Sequence, residues 1–368
     1  MKKYTIAVIG AGNGGQAMAA YFAMAGNEVR IFDYFEEPIQ AIREKGYIEL
    51  IGAVEGKGEI ALASNDIRGV MEDSDLILIV NPAIYHSKIA KSCAPYIKSG
   101  QQIFLSPSSV FGAFAFKKAL EDNGCHEKVT IAESHSLLFA ARLVENGLVN
   151  IGGKKDRLLV AAFPACDGEG LYDIIKPVIP ETVICDSVLV TSFESTNAMV
   201  HPFPTIMNAS WEESGNKFRY YWDGIGKTTG DFIEALDAER VEIGKKLGLT
   251  LGEDLFDIYM EYKGDYDAEG EDVSSMLKNV YAYKDIYAAN TPRIRYIYED
   301  VPTGLVPFMA MGELLGVPVE KMKLVTKLCE EMLGEDFTHS EQSRNLENLG
   351  LGGMSAEQIV AYAKTGVK

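Results

Sequence analysis

One of the five histidines sits where the chain breaks local rules. It lies in Ser195-Thr-Asn197-Ala-Met-Val-His201-Pro202-Phe-Pro204-Thr-Ile-Met-Asn208-Ala-Ser210. An imidazole changes charge near neutral pH and can carry protons to and from a reacting group. Asn197 stands four residues before His201 and Asn208 seven after it, so a helix would put all three on one face. Pro202 and Pro204 should break or kink that helix, each deleting a backbone bond at a cost of about 3 kcal/mol. A broken rule beside a titratable group is a place to look for function. The plainer reading is a core histidine beside a proline kink. A second cluster, Thr291-Pro-Arg293-Ile-Arg295-Tyr-Ile-Tyr-Glu299-Asp300-Val-Pro-Thr-Gly304-Leu-Val-Pro307, holds two arginines and two adjacent acids in a strand or loop before a helix. A guanidinium can grip a carboxylate through two parallel hydrogen bonds. Taken alone, the cluster also reads as surface ion pairs.

A third constellation binds rather than reacts. The apolar run Tyr4-Thr-Ile-Ala-Val-Ile9 leads into Gly10-Ala11-Gly12-Asn13-Gly14-Gly15, and an amphipathic stretch over residues 16–25 follows at once. Strand, GxGxxG turn and helix together make a dinucleotide fingerprint, which the glycines alone would not. Gly10 permits the tight turn, Gly12 lets a pyrophosphate approach the backbone, and Gly15 lets the helix pack on the strand. The helix N-terminus offers free N–H groups to the anion. A second strand, Glu28–Phe32, ends at Asp33, 18 residues beyond Gly15. A carboxylate there can accept both ribose hydroxyls and repels a 2′-phosphate, and neither Tyr34 nor Phe35 supplies a cation. NAD is therefore the expected cofactor. The buried run 75–80 is followed by Val80-Asn81-Pro82, a loop at a strand's carboxyl end. Such loops line the ligand crevice of open α/β sheets, so residues 80–84 and 106–109 are expected to complete the cofactor site.

The elements that must hold these groups fall into two halves. Strand-like runs recur at 77–80, 102–105, 129–132, 158–163 and 182–185, with helical stretches such as 84–97 and 112–123 between several of them, the order of a doubly wound parallel sheet. After about residue 187 the pattern turns helical. Residues 231–247 and 320–333 show spacing near 3.6, the second with Gly334 as its stop. The fold class is thus α/β plus all-α, with one domain over residues 1–187 and another over 188–368, as a chain of 368 residues is too long for one ordinary core. The helix 231–247 can pack within the chain or against a second copy, which leaves a homodimer open. The acidic stretch 264–272 does not space its carboxylates as an EF-hand does, and a solvated loop is expected there rather than a metal site.

Composition excludes several classes. A formal net charge of −18 argues against nucleic acid and anionic membrane surfaces as partners. No run of about 18 apolar residues predicts a membrane span. Five scattered cysteines without a CxxC pair suggest neither a disulfide framework nor a thiolate zinc site, and fit a cytoplasmic protein.

Taken together, the motifs resemble the opine dehydrogenase family, which includes octopine, nopaline and N-(1-D-carboxyethyl)-norvaline dehydrogenases. The likeness spans nearly the whole chain. It rests on Gly10-x-Gly12-Asn13-Gly14, Asn197-Ala-Met-Val-His201-Pro202-x-Pro204-Thr205, Asp237-Ala-Glu239-Arg240 and Arg295-Tyr-x-x-Glu-Asp300-Val-Pro-Thr-Gly304-Leu-Val-Pro307. The resemblance implies an N-terminal Rossmann domain joined to a C-terminal helical domain, with substrates in the cleft between them. It implies His201 as acid/base, Asp300 as its partner and Arg295 on a substrate carboxylate; Asn197 and Asn208, on one helical face with His201, are candidate substrate-binding residues. The implied reaction joins a 2-oxo acid to the amine of an amino acid through an imine, which NADH reduces to a secondary-amine dicarboxylate. Two alternatives stand beside it. Ketopantoate reductases and related enzymes reduce simple ketones or cyclic imines, but generally with a lysine on the catalytic helix, and residues 195–210 contain none. A nucleotide sensor without catalysis would need no proton carrier. The tyrosines at 262, 266, 281, 283 and 287 either line the amine pocket or belong to a partly buried loop.

Overall fold

The structure is a computed structural model that describes residues 2–251, 254–261 and 268–368. It divides into two compact units, Met1–Ser108 with Gly112–Thr191 and Tyr362–Val367, and Ser109–Phe111 with Ser192–Ala361 and Lys368. The first unit therefore extends past residue 187 and takes in residues 362–367. The physical reason is local: Thr191 Oγ1 donates to the buried Glu133 carboxylate at 2.7 Å, and the Tyr362 ring stacks on Phe114 at 5.7 Å.

Twelve strands lie in the first unit among the described residues: β1 Thr5–Ile9, β2 Glu28–Phe32, β3 Tyr47–Gly52, β4 Gly56–Glu59, β5 Leu62–Ser64, β6 Leu76–Ile79, β7 Gln102–Leu105, β8 Thr130–Ser134, β9 Phe139–Glu145, β10 Leu148–Lys154, β11 Leu158–Phe163 and β12 Thr182–Ile184. Eight form one sheet in the order β12-β11-β8-β7-β6-β1-β2-β5. Their central members, such as Leu76-Ile-Leu-Ile79, are buried on both faces, which explains continuous apolar runs without alternation. The sheet is mixed, however. β11 runs antiparallel to β8 and parallel to β12, so the expectation of a wholly parallel sheet is corrected at that edge. The strand order turns back on itself between β1 and β6. Switch points of this kind place a crevice at the strands' carboxyl ends, where Gly10 and Val80 begin.

A second sheet, β4-β3-β10-β9, was not anticipated from sequence. β4 reads Gly-Lys-Gly-Glu, which has no strand propensity. Its geometry explains the composition: a Cβ on Gly58 would lie 2.4 Å from the Ala20 carbonyl oxygen, so only glycine lets this sheet meet the helix Asn13–Met24.

The second unit is helical. Its long helix, Lys227–Lys246, starts four residues before the predicted one and buries Ile233, Leu236, Asp237, Arg240 and Ile243. Its inner face is thus used within the chain. Asp237-Ala-Glu239-Arg240 proves to be framework: Arg240 Nε bonds Asp237 at 2.6 Å and its Nη1 bonds the Phe193 carbonyl at 2.6 Å. The Glu239 carboxylate accepts the backbone N–H groups of Lys321 and Met322, capping the helix Glu320–Leu333, which ends at left-handed Gly334 as predicted. Of the acidic stretch, residues 264–267 lie outside the described residues, and Asp272 caps the helix Val273–Asn279 in a reciprocal capping box. Tyr262 and Tyr266 also lie outside the described residues.

Candidate active site

In the first unit, the three fingerprint glycines divide their labour as the sequence predicts. Gly10 adopts φ +110°, a left-handed conformation, and an added Cβ would sit 2.8 Å from the Val80 carbonyl oxygen. A Cβ on Gly15 would lie 1.9 Å from the Gly10 carbonyl oxygen, so the helix packs on its own turn. Around Gly12, by contrast, a Cβ would meet nothing within 4 Å. The helix Asn13–Met24 begins with Gly12 as N-cap and no side-chain cap, which leaves the site over Gly12 open to an anion. Ala11 N donates to Asp33 Oδ2 at 2.7 Å, bringing the β2 carboxylate beside the turn. Val80 and Asn81 close over Gly10 and Gly14, and buried Asn81 Oδ1 has no protein hydrogen-bond partner among the described residues. Pro82 starts a short 3-10 turn, Ala83–Tyr85, beyond them. An open glycine face, an uncapped helix end, a carboxylate at the strand end and an unsatisfied amide oxygen together fit a dinucleotide.

Two members of this set do other work as well. The Asn13 side chain accepts Leu143 N at 2.7 Å from β9, and Gln16 holds Asn146 and Gly147 of the β9–β10 turn. The unexpected sheet therefore straps the helix that carries the glycines. Residues 106–109 also separate: Ser106 bonds Ser134 in the first unit, whereas Ser109 donates to the Thr303 carbonyl in the second.

In the second unit the chain runs helix Asn197–Val200, then His201, then helix Pro202–Met207. The prolines remove the N–H groups that would bond the carbonyls of residues 198 and 200, and the axis breaks at the histidine. The His201 carbonyl instead collects Thr205 N at 3.2 Å, Thr205 Oγ1 at 2.8 Å and the Tyr220 hydroxyl at 2.8 Å. His201 Nδ1 lies 2.7 Å from Asp300 Oδ2, and both residues are buried. Asp300 is held by a second irregularity. The short helix Arg295–Tyr298 gives way to a π-turn over Val301–Leu305, in which Leu305 N reaches back to Asp300 O at 3.0 Å. The wide turn fits because Gly304 has no side chain; a Cβ there would lie 2.5 Å from that of Ala198. Such π-turns are often found at functional sites. Ser109 and Val110 donate to the Thr303 carbonyl from outside, and Arg344 N donates to the Pro302 carbonyl.

The remaining predicted residues divide. Arg295 is exposed, with 67% of its side-chain surface accessible, and its Nε donates to Glu299 at 2.6 Å. Arg293 is committed elsewhere: its guanidinium bonds Tyr298, Glu335 and the Leu333 carbonyl. The two arginines do not share a strand face, because residue 295 opens a helix. Asn197 is exposed, four residues before His201. The Asn208 amide nitrogen bonds the carbonyls of Pro204 and Gly224 at 2.9 Å each, bracing two helices and leaving only its oxygen for a ligand.

Sequence reasoning missed the aromatic shell. Tyr221 bonds His201 Nε2 at 3.0 Å, and Tyr296 stacks on the imidazole at 3.9 Å. Burial lifts the phenols of Tyr220 and Tyr221 well above the usual tyrosine range. The available signals were the tyrosine that follows Arg295 in the quoted motif and a Tyr-Tyr-Trp run at 220–222. Tyr283 stacks on Tyr221, while Tyr281 and Tyr287 are exposed.

Comparisons with known proteins show the family of the chain. Residues 184–333 match the family model for the alpha-helical domain of NAD/NADP octopine/nopaline dehydrogenase, and residues 5–110 match the N-terminus of NAD-dependent glycerol-3-phosphate dehydrogenase. An opine dehydrogenase of Arthrobacter sp. (strain 1C) is 37% identical over 356 residues, covering 96% of this chain and 97% of that one. The chain belongs to the opine dehydrogenase family. Octopine dehydrogenase of Mizuhopecten yessoensis is 23% identical, with 90% of each chain covered. In fold, the chain matches a solved octopine dehydrogenase with NADH and L-arginine at a TM-score of 0.80 and 19% identity, over 99% of this chain and 98% of that one. As a member of this family, the protein is an NAD-dependent oxidoreductase acting on CH–NH bonds. Among the described residues no helix is long and apolar enough to cross a membrane.

Proposed function

We propose that this opine dehydrogenase condenses a 2-oxo acid with the amino group of an amino acid, with His201 carrying the protons and Asp300 holding His201. The observation that carries the assignment of roles is the buried 2.7 Å contact between His201 Nδ1 and Asp300 Oδ2, made by residues 99 apart in sequence. A carboxylate on Nδ1 keeps the proton there, presents Nε2 as the working nitrogen and stabilises the imidazolium. Amine addition to a carbonyl and loss of water each need a proton moved, and one histidine suffices for both. Bound NADH supplies the hydride that reduces the resulting imine. Gly10, Ala11, Gly12, Asn13, Gly14 and Gly15 would hold the pyrophosphate, Asp33 the adenine ribose, and Val80-Asn81-Pro82 the crevice wall. Arg295 is the cation for a substrate carboxylate, since its partner Glu299 takes only the Nε edge and Arg293 is occupied. Asn197 and the Asn208 oxygen are the polar groups assigned to the amino acid. Each of the five cysteines is a thiol, which supports a reducing compartment, the cytoplasm.

The test is a screen of common amino acids against pyruvate, oxaloacetate and 2-oxoglutarate, with NADH and NADPH compared at matched concentration. Cofactor oxidation is expected only when both organic substrates are present, and mass spectrometry should find the secondary-amine dicarboxylate. Oxidation with a 2-oxo acid alone would make the protein a simple ketone reductase, and faster rates with NADPH would overturn the role of Asp33.

A further inference from the structure

His201 offers no free nitrogen. Nδ1 faces Asp300 at 2.7 Å and Nε2 faces the Tyr221 hydroxyl at 3.0 Å. One face of the ring lies against Tyr296, with centroids 3.9 Å apart and planes 12° apart, and Tyr220 stands edge-on at 6.4 Å. The backbone of His201 is fixed as well, through its carbonyl. Turning the imidazole toward another partner would break both ring bonds. Tyr221 is no freer: it is buried, its ring stacks on Tyr283 at 4.2 Å, and it meets Tyr220 edge-on at 5.0 Å. A proton leaving His201 therefore has two routes, through the Tyr221 oxygen or past a tyrosine that has first been displaced.

We propose that Tyr221 is a catalytic residue, the hydroxyl through which His201 exchanges its proton with the reacting atoms, so that the chain of transfer is Asp300–His201–Tyr221. This rests on the assignment of His201 and Asp300 made above. A phenol suits the position because it donates and accepts through one oxygen. With Asp300 fixing the proton on Nδ1, neutral His201 accepts at Nε2 from the Tyr221 O–H. Burial keeps that phenol protonated between transfers.

The protons balance. The amino acid arrives as its ammonium form; one N–H proton passes to the Tyr221 oxygen while the Tyr221 proton passes to Nε2, leaving a neutral amine and an imidazolium. The amine nitrogen then bonds the carbonyl carbon of the 2-oxo acid, and transfer of a proton from nitrogen to oxygen gives the carbinolamine. Its C–O bond breaks as the nitrogen lone pair forms C=N. The departing oxygen takes the Tyr221 proton, Nε2 returns its own to the phenol oxygen, and water leaves. His201 ends neutral, Tyr221 ends as phenol, and no outside acid is consumed.

The Tyr221→Phe enzyme tests this, because phenylalanine keeps the ring and its stack on Tyr283. It is assayed beside His201→Ala with the substrate pair that the wild-type protein turns over fastest among pyruvate, oxaloacetate, 2-oxoglutarate and the common amino acids. Tyr221→Phe should lose about a hundredfold or more in kcat. Its NADH affinity, read by fluorescence, and its melting temperature should stay at wild-type values. If His201→Ala is inactive while Tyr221→Phe is as fast as wild type or faster, the relay is overturned and Tyr221 is a gate that substrate displaces. If His201→Ala retains turnover, the assignment of His201 fails, and the relay with it.

Discussion

The nucleotide turn of the first unit and the histidine pair of the second are built on opposite principles. Over Gly10–Gly15 the chain makes a site by leaving side chains out, and the groups offered to the ligand are backbone N–H groups at a helix end. At His201 the chain makes a site by crowding side chains in, from positions 201, 221, 296 and 300. The first draws on neighbours in sequence, one carboxylate 22 residues from Ala11 and the Val80-Asn81 wall over Gly10. The second needs two irregular helices pressed together, with Gly304 against Ala198. A site made of backbone should tolerate changes that spare its open face, whereas a site made of converging side chains should fail at any member.

The largest expected effects lie in the second site. His201→Ala should abolish turnover while leaving NADH binding intact, since the nucleotide fingerprint lies in the other unit. Asp300→Asn should cost about a hundred- to ten-thousandfold in kcat, because an amide on Nδ1 neither fixes the tautomer nor stabilises the imidazolium. Its pH–rate profile should lose or move the histidine limb. Near-normal rates in either variant would remove the pair from the mechanism.

The glycines sharpen the contrast within the first site. Gly12→Ala should fold normally, since its Cβ meets nothing within 4 Å, yet weaken NADH binding. A loss of about tenfold in Kd, roughly 1.4 kcal/mol, would suffice to place the pyrophosphate over that residue. Gly15→Ala should do the reverse and lower the melting temperature, as its Cβ falls 1.9 Å from the Gly10 oxygen and overpacking of this kind costs about 1–3 kcal/mol. Equal effects on folding from both substitutions would break the distinction.

Arg295→Lys should lower kcat/KM for one organic substrate about ten- to a hundredfold, the worth of a charge-assisted contact of about 1.5–3 kcal/mol. The KM for NADH should hardly change. A silent exchange would mean that Arg295 serves only its pair with Glu299. Substituting Arg293 should affect stability more than turnover, given its bonds to Tyr298, Glu335 and Leu333.

A last effect falls on stability alone and not on turnover. Glu212 is 1% exposed, neither carboxylate oxygen has a protein partner among the described residues, and burial with Glu213 nearby pushes its pKa up to about 7. The folded protein thus holds a proton that the unfolded chain releases near the ordinary glutamate value. Stability should be greatest below that value and fall as pH rises toward 7, by about 3 kcal/mol at most. Urea unfolding at pH 5 and pH 8 should show this fall in wild type and a flatter response in Glu212→Gln. An equal slope in both would assign the pH dependence to other groups.

How much was legible follows from the same contrast. The glycine turn, the β2 carboxylate and the buried strands are local patterns, and the structure places them as read. The β3, β4, β9 and β10 sheet escaped because a strand such as Gly-Lys-Gly-Glu is chosen for close approach to a helix, not for propensity. The antiparallel edge at β11 escaped because a buried apolar run reads alike in either direction. Asn208 shares the spacing that suggested a ligand contact, yet its amide braces two helices, and spacing alone could not separate those uses.

The sequence by itself determined a nucleotide turn, its acidic partner and the presence of a histidine beside broken helix. Each is a matter of residues within one or two turns of chain, where backbone sterics and missing N–H groups act directly. Only the tertiary structure decided that Asp300 meets Nδ1, that Tyr221 meets Nε2, and that Arg293 rather than Arg295 is committed to Tyr298, Glu335 and the Leu333 carbonyl. Those outcomes depend on how a π-turn and a proline-broken helix pack around Gly304 and Ala198, and a contact between residues 99 apart in the chain is set by packing, not by spacing.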